Sequence, residues 1–275
     1  MVDLSKINKA PDKFCFKKPT VLVFIMSILI GCSFANGNDW RVEKSTHFII
    51  YYYDNYSFAR KVVRKAEDCY RKIARDIGFV RYKDFWLTNN RCKIYIYKTH
   101  QDYISITKQP RWSGGCVSYK EKVIKTYQWS EHFLDSLLPH ELTHIVFREF
   151  VGFENKNIPL WLDEGVACYH EKYKRRESHL LVKKAIYRKN YIPLEKLSGL
   201  DIAKETDPVL VGLFYSEATS LVEFLIKRYT LNRFTKLCRL LRDGKKLDEA
   251  LKSVYHFKDL GGLEDKWLQY IRNRF

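Results

Sequence analysis

The sequence has no low-complexity tract, no heptad or collagen period and no convincing internal repeat in its 275 residues. These absences exclude fibrous, coiled-coil and repeat architectures. A hydrophobic content of 46% and a charged content of 29% are typical of a globular chain rather than a disordered one. A chain of this length can bury a substantial core, as one large domain or two small ones.

Cysteine pairs and acidic residues are also scarce. None of the seven cysteines belongs to a CxxC pair, and an odd count argues against a cysteine metal site or a complete disulfide framework. The 32 Asp and Glu residues face 49 Lys and Arg, which gives a net charge of +17. Such a surface favours anionic partners, for example a membrane or a cell wall. No RNA- or DNA-binding signature accompanies the charge, so nucleic acid is not expected as a partner.

The hydrophobic run near the N-terminus is too short for a typical membrane span. VLVFIMSILI covers residues 21–30 and follows a leader rich in lysine. A run of about ten apolar residues after a positive leader is typical of a signal peptide. We therefore interpret residues 1–31 as a signal peptide and residues 32–45 as a linker, with the body of the protein exported from the cytoplasm.

The four residues that end at Cys32, Leu-Ile-Gly-Cys, resemble the lipoprotein box of bacteria. This resemblance implies cleavage before Cys32, lipidation of its side chain and a membrane-anchored protein of the cell envelope. Ser33 is similar to the residue found in lipoproteins that reach the outer membrane, so the outer membrane or the periplasmic face is expected. Two alternatives stay open, which are cleavage after Ala35 and an anchor that is never cleaved.

The remaining pattern predicts an α+β fold in which a small mixed sheet with helices precedes a helical subdomain. Alternating and β-branched stretches predict strands, and apolar spacing of three and four residues predicts helices. We expect strands at residues 41–53, 93–98 and 116–127, and helices at 56–77, around HELTH, at 160–175 and from 209 onwards. The predicted catalytic domain covers residues 46–195, and the predicted C-terminal helical subdomain covers residues 196–275.

The segment LPHELTHIVFREF places two of the eight histidines one helical turn apart. Residues four apart lie on one face of a helix, so His140 and His144 can offer two imidazoles to one ion, and imidazole suits zinc. Glu141 lies about 100° around the helix from His140, where a general base can take a proton from water next to the metal. Pro139 requires the helix to begin only a few residues earlier, with Asp135 or Ser136 as its N-cap.

A second segment, WLDEGVA, supplies a candidate third ligand. Glu164 follows His144 by 20 residues, and a carboxylate on a neighbouring antiparallel helix can complete a catalytic zinc site, which usually has three protein ligands. Trp161 and Leu162 would pack that helix onto the HELTH helix, and Gly165 would allow close approach. The sequence thus predicts Zn²⁺ as a cofactor.

Together, HELTH and WLDEGVA resemble the gluzincin metallopeptidases, the thermolysin-like group, and more closely the bacterial peptidase MA-like domains. The resemblance implies a zincin-like fold, with His140, His144 and Glu164 as zinc ligands and Glu141 as the catalytic base. It also implies a peptide or protein substrate, which would pair with an edge strand around residues 115–125. These peptidases use a Tyr or His donor for the oxyanion, and Tyr215 is the candidate here, ahead of Tyr169 and His170.

One departure from the resemblance concerns the support of a zinc histidine. Thermolysin-like members place an Asp four residues after the glutamate ligand, whereas this chain has Cys168 there. Another group, such as a backbone carbonyl, must then orient the histidine. An alternative function also stays open, namely a non-catalytic envelope binding module that retains a structural zinc ion. Such a site would be closed by a fourth protein ligand and would not need Glu141.

Overall fold

The computed structural model describes residues 40–78, 86–87, 90–111, 113–128, 132–202 and 204–273. The predicted signal peptide at 1–31, the lipidation site at Cys32 and the alternative cleavage site after Ala35 lie outside these residues. Strand pairing begins at residue 41, inside the range 32–45 that we interpreted as a linker. A linker can therefore extend no further than residue 40. The boundary between residues 195 and 196 stays a prediction.

A mixed five-stranded sheet forms the front of the molecule, in the order β1-β2-β3-β5-β4. The inner strands β2, β3 and β5 run parallel, and both edge strands pair antiparallel with their neighbours. Successive side chains of a strand point to opposite faces of the sheet. In β2 the side chains of Phe48, Ile50 and Tyr52 therefore point into the core. The strands are β1 (Arg41–Lys44), β2 (Phe48–Tyr52), β3 (Cys92–Tyr97), β4 (Gly115–Ser118) and β5 (Val123–Tyr127).

Two stretches that we predicted as single strands are antiparallel pairs of strands. The backbone N–H of Ser45 donates to Phe48 O and turns the chain between β1 and β2. Between β4 and β5, the N–H of Lys122 donates to Tyr119 O, and Lys122 adopts a left-handed φ of 52°. As a result β4 is an edge strand of the sheet.

The described residues contain ten α-helices, and the first two pack against the sheet. The mixed α+β class that we predicted is confirmed, with helices predominant. The helices are α1 (Tyr56–Ile77), α2 (His100–Thr107), α3 (Leu138–Val151), α4 (Leu160–His170), α5 (Lys174–Tyr187), α6 (Leu194–Gly199), α7 (Pro208–Phe224), α8 (Leu231–Arg242), α9 (Leu247–Tyr255) and α10 (Leu260–Asn273).

The HELTH helix, α3, continues from a π-helical turn at Phe133–Leu137. The expectation that Asp135 or Ser136 caps this helix is therefore wrong, since both lie inside the turn. Pro139 has no N–H to donate to the carbonyl group four residues earlier. The carbonyl of Asp135 accepts instead from the backbone N–H of Lys172, at 3.0 Å. This bond ties the start of α3 to the end of α4.

The predicted helix at residues 160–175 is two helices, with a break after His170. At this break Glu171 takes an extended conformation with φ −68° and ψ 145°. The segment Pro208–Tyr229 is long and apolar enough, by length and composition alone, to cross a membrane. It is a core element here, because α7 packs against both α4 and α5.

Helices α4 and α7 approach each other closely at Gly165. A Cβ atom at this position would lie 2.4 Å from the carbonyl oxygen of Ala218 and 2.8 Å from a methyl group of Val222. Only glycine fits there without moving the α7 backbone. We expected Gly165 to face the HELTH helix, and this expectation is wrong, because the residue faces α7. Trp161 and Leu162 are fully buried in the core.

Candidate metal centre

Two histidines of α3 and one glutamate of α4 converge on one point. The Nε2 atoms of His140 and His144 are 3.1 Å apart. Glu164 Oε2 lies 3.7 Å from the first and 3.6 Å from the second. His144 and Glu164 are buried, and His140 is partly exposed. Helical spacing fixes the histidine pair, while the packing of α4 against α3 brings in the carboxylate.

The chemistry of these three side chains fits a divalent cation. The buried Glu164 Oε2 atom has no hydrogen-bond partner, and a buried carboxylate oxygen without one is costly. Ligands about 2.0–2.1 Å from a tetrahedral zinc ion lie roughly 3.3–3.4 Å from one another. The three separations here bracket that range, so a zinc ion could bind all three atoms after shifts of a few tenths of an ångström.

An acidic residue fixes the ring of each histidine. The Nδ1 atom of His144 lies 3.1 Å from Asp163 Oδ1, and Arg148 donates to Asp163 Oδ2 at 2.8 Å. Burial by itself would lower the pKa of His144, but Asp163 and Glu164 raise it to about 9. The pKa of Asp163 is lowered despite its burial, because His144 and Arg148 stabilise the carboxylate. This pairing aims His144 Nε2 at the centre.

His140 is held by Glu171, at the break between α4 and α5. Its Nδ1 atom lies 3.0 Å from Glu171 Oε1, and Ser136 donates a hydrogen bond to Glu171 Oε2. Burial opposes protonation of His140, but Cys168 and Glu171 hold its pKa well above the usual value. We expected a group other than the acid that Cys168 replaces to orient this histidine, for example a backbone carbonyl. The carboxylate of Glu171 lies in that position.

A second group of possible ligands shares His140 through its other ring nitrogen. It consists of His140 Nδ1, Cys168 and Glu171, with Cys168 Sγ 3.9 Å from the nitrogen. Both carboxylate oxygens of Glu171 already accept hydrogen bonds, and burial raises the pKa of the Cys168 thiol. The first group contains the oxygen that lacks a partner, and therefore fits a metal better.

Glu141 lies beside the centre without belonging to either group of possible ligands. Its side chain is 2% exposed, and burial is the main cause that raises its pKa. The phenol of Tyr119, in the turn after β4, donates to Glu141 Oε2 over 3.5 Å. The Tyr119 ring also meets the His144 ring edge to face, with centroids 5.7 Å apart. An edge strand, a buried acid and the histidine pair therefore meet at one cleft.

Tyr215 reaches the same cleft from α7. Burial, and after it the charge of Glu164, raises the pKa of its phenol. Tyr169 and His170, the weaker candidates, point elsewhere. The Nδ1 atom of His170 is 2.8 Å from Val166 O, and its Nε2 atom is 3.4 Å from Asp76 Oδ2 at the end of α1. The Tyr169 ring lies under the Arg175 guanidinium at 4.8 Å.

Sequence reasoning missed three residues of the centre. Asp163 directly precedes Glu164, and its role could not be read because a helical carboxylate is more often solvated. Glu171 follows Glu164 by seven residues, a spacing that returns to nearly the same helix face, so this signal was available. Tyr119 carries no signal, because the chain contains 19 tyrosines.

Two imidazoles, one carboxylate and a separate buried acid are the side chains that mononuclear metal hydrolases use at their metal sites. A family model described as the Peptidase MA superfamily matches residues 66–273. The chain therefore belongs to the Peptidase MA superfamily. Membership supports a peptidase function of the metallopeptidase kind, in a family whose members are generally zinc-dependent. No curated protein matches the chain.

Proposed function

We propose that the protein is a zinc-dependent peptidase of the gluzincin, thermolysin-like type that acts in the cell envelope. One observation carries this proposal. The only buried oxygen of the centre without a hydrogen bond, in the described residues, is the Glu164 oxygen at which two imidazole nitrogens converge. Family membership supports the peptidase part. The geometry supports zinc, because two nitrogens and one carboxylate are its usual catalytic ligand set.

His140, His144 and Glu164 would hold the ion. When bound, zinc supplies Lewis-acid chemistry, since it polarises a carbonyl group and lowers the pKa of water. Asp163 and Glu171 hold the two imidazole rings in the orientation that this ligand set needs. Each acid also fixes the tautomer, because an imidazole that donates from Nδ1 presents the Nε2 lone pair to the centre.

Glu141 would act as the general base. Its buried carboxylate lies in the same cleft and has a raised pKa, so it can take a proton from the attacking water and then pass it to the amine nitrogen of the departing peptide. Tyr215 and Tyr119 are two candidate donors to the oxygen that becomes negative in the transition state. Tyr215 lies among the acidic residues of the centre, and Tyr119 already contacts Glu141.

A peptide substrate would bind along β4. This strand lies at the edge of the sheet next to the turn that carries Tyr119. An extended peptide can add to an edge strand through backbone hydrogen bonds. The scissile bond would then lie between β4 and the pair of helices α3 and α4.

Replacement of Glu141 by Gln tests the proposal most selectively. We expect E141Q to retain zinc and to cleave peptides about 10²–10⁴-fold more slowly, because this is the typical contribution of general base catalysis. Cleavage is measured by mass spectrometry on peptides from a denatured proteome. The control is Glu154→Gln, a change at an exposed glutamate that pairs with Lys120. Wild-type activity in E141Q would contradict the proposed role.

A non-catalytic zinc module remains the alternative, and the same comparison addresses it. Only three side chains in the described residues form the first ligand group, whereas a structural zinc site takes four protein ligands. A module of that kind would bind zinc in the wild type and in E141Q alike, and neither would cleave any peptide. Cleavage by the wild type alone would exclude it.

The envelope location rests on the sequence alone. We propose export and a lipid anchor at Cys32, with the outer membrane or the periplasmic face as the location. Cys32→Ser is expected to move the protein from the membrane fraction to the soluble fraction when membranes are washed with high salt, which screens charge-based contacts with lipid. If the variant stays in the membrane fraction after this wash, the apolar run at residues 21–30 is itself the anchor, and lipidation is not required.

A further inference from the structure

The exposed apolar side chains of the described residues are concentrated at one place. Nine large hydrophobic residues are exposed, and four of them lie on α5 or at the start of α7. Tyr187 is 89% exposed, Val209 73% and Leu180 63%, and Leu181 is the fourth. Single exposed apolar residues need no explanation, whereas a cluster marks a surface that binds something.

These four residues form one face with two cations. On α5, Leu180, Lys184 and Tyr187 follow one another at spacings of four and three, so they share a stripe that points away from the core. The next stripe carries Leu181 and Arg188, and it borders Pro208, Val209 and Leu213 of the neighbouring helix across a groove of about 280 Å³. We call this surface the α5–α7 face, consisting of Leu180, Leu181, Lys184, Tyr187, Arg188 and Val209.

The part of this face on α5 is positively charged, and the exposed Asp207 precedes Val209 at the start of α7. Lys184 and Arg188 make no ion pair within the described part of the chain, and both are exposed. Lys183 and Lys189 extend the same basic stretch of α5 and its C-terminal end, against Glu177 as the acidic residue on the outer side. Lysine is depleted at the core of protein–protein interfaces. Exposed Leu and aromatic side chains bordered by Lys and Arg are instead suited to the membrane interface, where the apolar groups enter the lipid and the cations reach the headgroups.

We propose that the α5–α7 face docks onto an anionic lipid bilayer. Tyr187, Leu180 and Val209 would enter the interface between headgroups and acyl chains, while Lys184 and Arg188 would contact the anionic headgroups. The inference does not depend on the peptidase function. Val209 precedes Tyr215 on α7 by six residues, about 9 Å along the helix axis, so docking would hold the cleft close to the bilayer.

The test has to report on this face alone, because the N-terminal apolar run could hold the chain on vesicles by itself. We therefore place the photo-crosslinking residue p-benzoylphenylalanine in the full-length chain by Tyr187→p-benzoylphenylalanine. The matched control is the same replacement at Tyr56, another exposed tyrosine, at the start of α1. Vesicles contain phosphatidylcholine with or without about one third phosphatidylglycerol, whose negative surface attracts Lys and Arg.

We expect lipid adducts from position 187 on the phosphatidylglycerol vesicles, and few from position 56 or on phosphatidylcholine alone. Added K184E and R188E should reduce the adducts at position 187 by at least roughly tenfold, and so should high salt. Added K245E and K246E, which change the net charge equally at the turn after α8, should leave them unchanged. Equal adducts at both positions, or no effect of K184E and R188E, would overturn the proposal, as would adducts with protein instead of lipid in a cell envelope extract.

Discussion

Two regions of the molecule bury a glutamate, and the charged groups around the two carboxylates differ. At the metal centre, Glu164 is 4% exposed, and its Oε2 atom lies 3.7 Å from His140 Nε2 and 3.6 Å from His144 Nε2. In the helical core behind it, Glu217 is 0% exposed and accepts one hydrogen bond, from the backbone N–H of Ile192 at 2.9 Å. The charge close to Glu217 is that of another acid, Glu264.

Both regions leave one carboxylate oxygen without a hydrogen bond, namely Glu164 Oε2 and Glu217 Oε2. The difference lies in what surrounds each oxygen. Two imidazole nitrogens converge on the first, which makes it a ligand for a cation. No imidazole or thiol joins the second in a possible ligand group within the described residues. Glu217 relieves its burial by binding a proton, and its pKa rises to about 8. A buried carboxylate oxygen without a hydrogen bond therefore indicates a metal site only when other possible ligands, such as imidazole nitrogens, lie next to it.

The largest difference between the two regions should appear in zinc affinity. A full set of four structural ligands is worth roughly 10–16 kcal/mol, so one ligand contributes about a quarter of that free energy. We therefore expect Glu164→Gln to weaken zinc binding by about 10²–10³-fold. Glu217→Gln should leave the affinity unchanged. Competition with a chromophoric chelator measures both variants. If E217Q loses zinc as E164Q does, the comparison between the regions breaks down.

The next largest effect is expected on the free energy of unfolding, at the contact between α4 and α7 that joins the two regions. Gly165→Ala places a methyl group 2.4 Å from Ala218 O, and overpacking of this kind costs about 3 kcal/mol of the free energy of unfolding. Gly212→Ala is the matched control in α7, where a Cβ atom meets nothing within 4 Å. That control should gain about 0.5–1 kcal/mol. Urea unfolding followed by circular dichroism gives both values, and equal stabilities would contradict the close approach of α4 and α7.

Proton binding by Glu217 should appear as a dependence of stability on pH. Burial raises its pKa from an ordinary value of 4.5 to about 8 in the folded state, so the folded state binds more protons than the unfolded state between these values. Its contribution is complete below about pH 4.5 and is lost as the pH rises through 8. E217Q removes this loss. The stability of E217Q relative to wild type should therefore grow by about 3 kcal/mol between about pH 5 and pH 8. A constant difference over that range would show that Glu217 is ionised throughout.

The smallest effect is expected at the acid that orients His140. Glu171→Gln keeps an oxygen that can accept from His140 Nδ1 but loses the charge, and zinc affinity should fall about tenfold, at the lower end of the range for such partners. Glu154→Gln, at a glutamate exposed to solvent, should change nothing. If Glu171→Gln binds zinc as tightly as the wild type, His140 is oriented by packing alone.

Local spacing predicted the parts of the centre that a single helix determines. His140 and His144 converge because a helix repeats every 3.6 residues, and this holds whatever the tertiary fold. Glu164 was predicted because a short loop returns α4 beside α3. The partner of Gly165 could not be read in the same way, since the sequence shows that a helix has a small residue but not which neighbour needs the space.

The missed turns have a common cause. The chain between β1 and β2 and the chain between β4 and β5 contain no glycine or proline, so the apolar alternation runs on through both turns. The sequence does not indicate the break after α4 either, because residues 171–173 include no glycine or proline that would end a helix. Glu171 leaves the helix at that point and reaches His140, a tertiary interaction that overrides local propensity.

X-ray absorption at the zinc edge, on wild-type protein loaded with one equivalent of zinc, tests the central claim most directly. The two possible ligand groups differ in chemistry, since only the second contains the sulfur of Cys168. We predict tight binding with nitrogen and oxygen neighbours alone at about 2.0–2.2 Å. A sulfur neighbour at about 2.3 Å, or failure of the folded chain to bind zinc, would contradict the assignment of His140, His144 and Glu164.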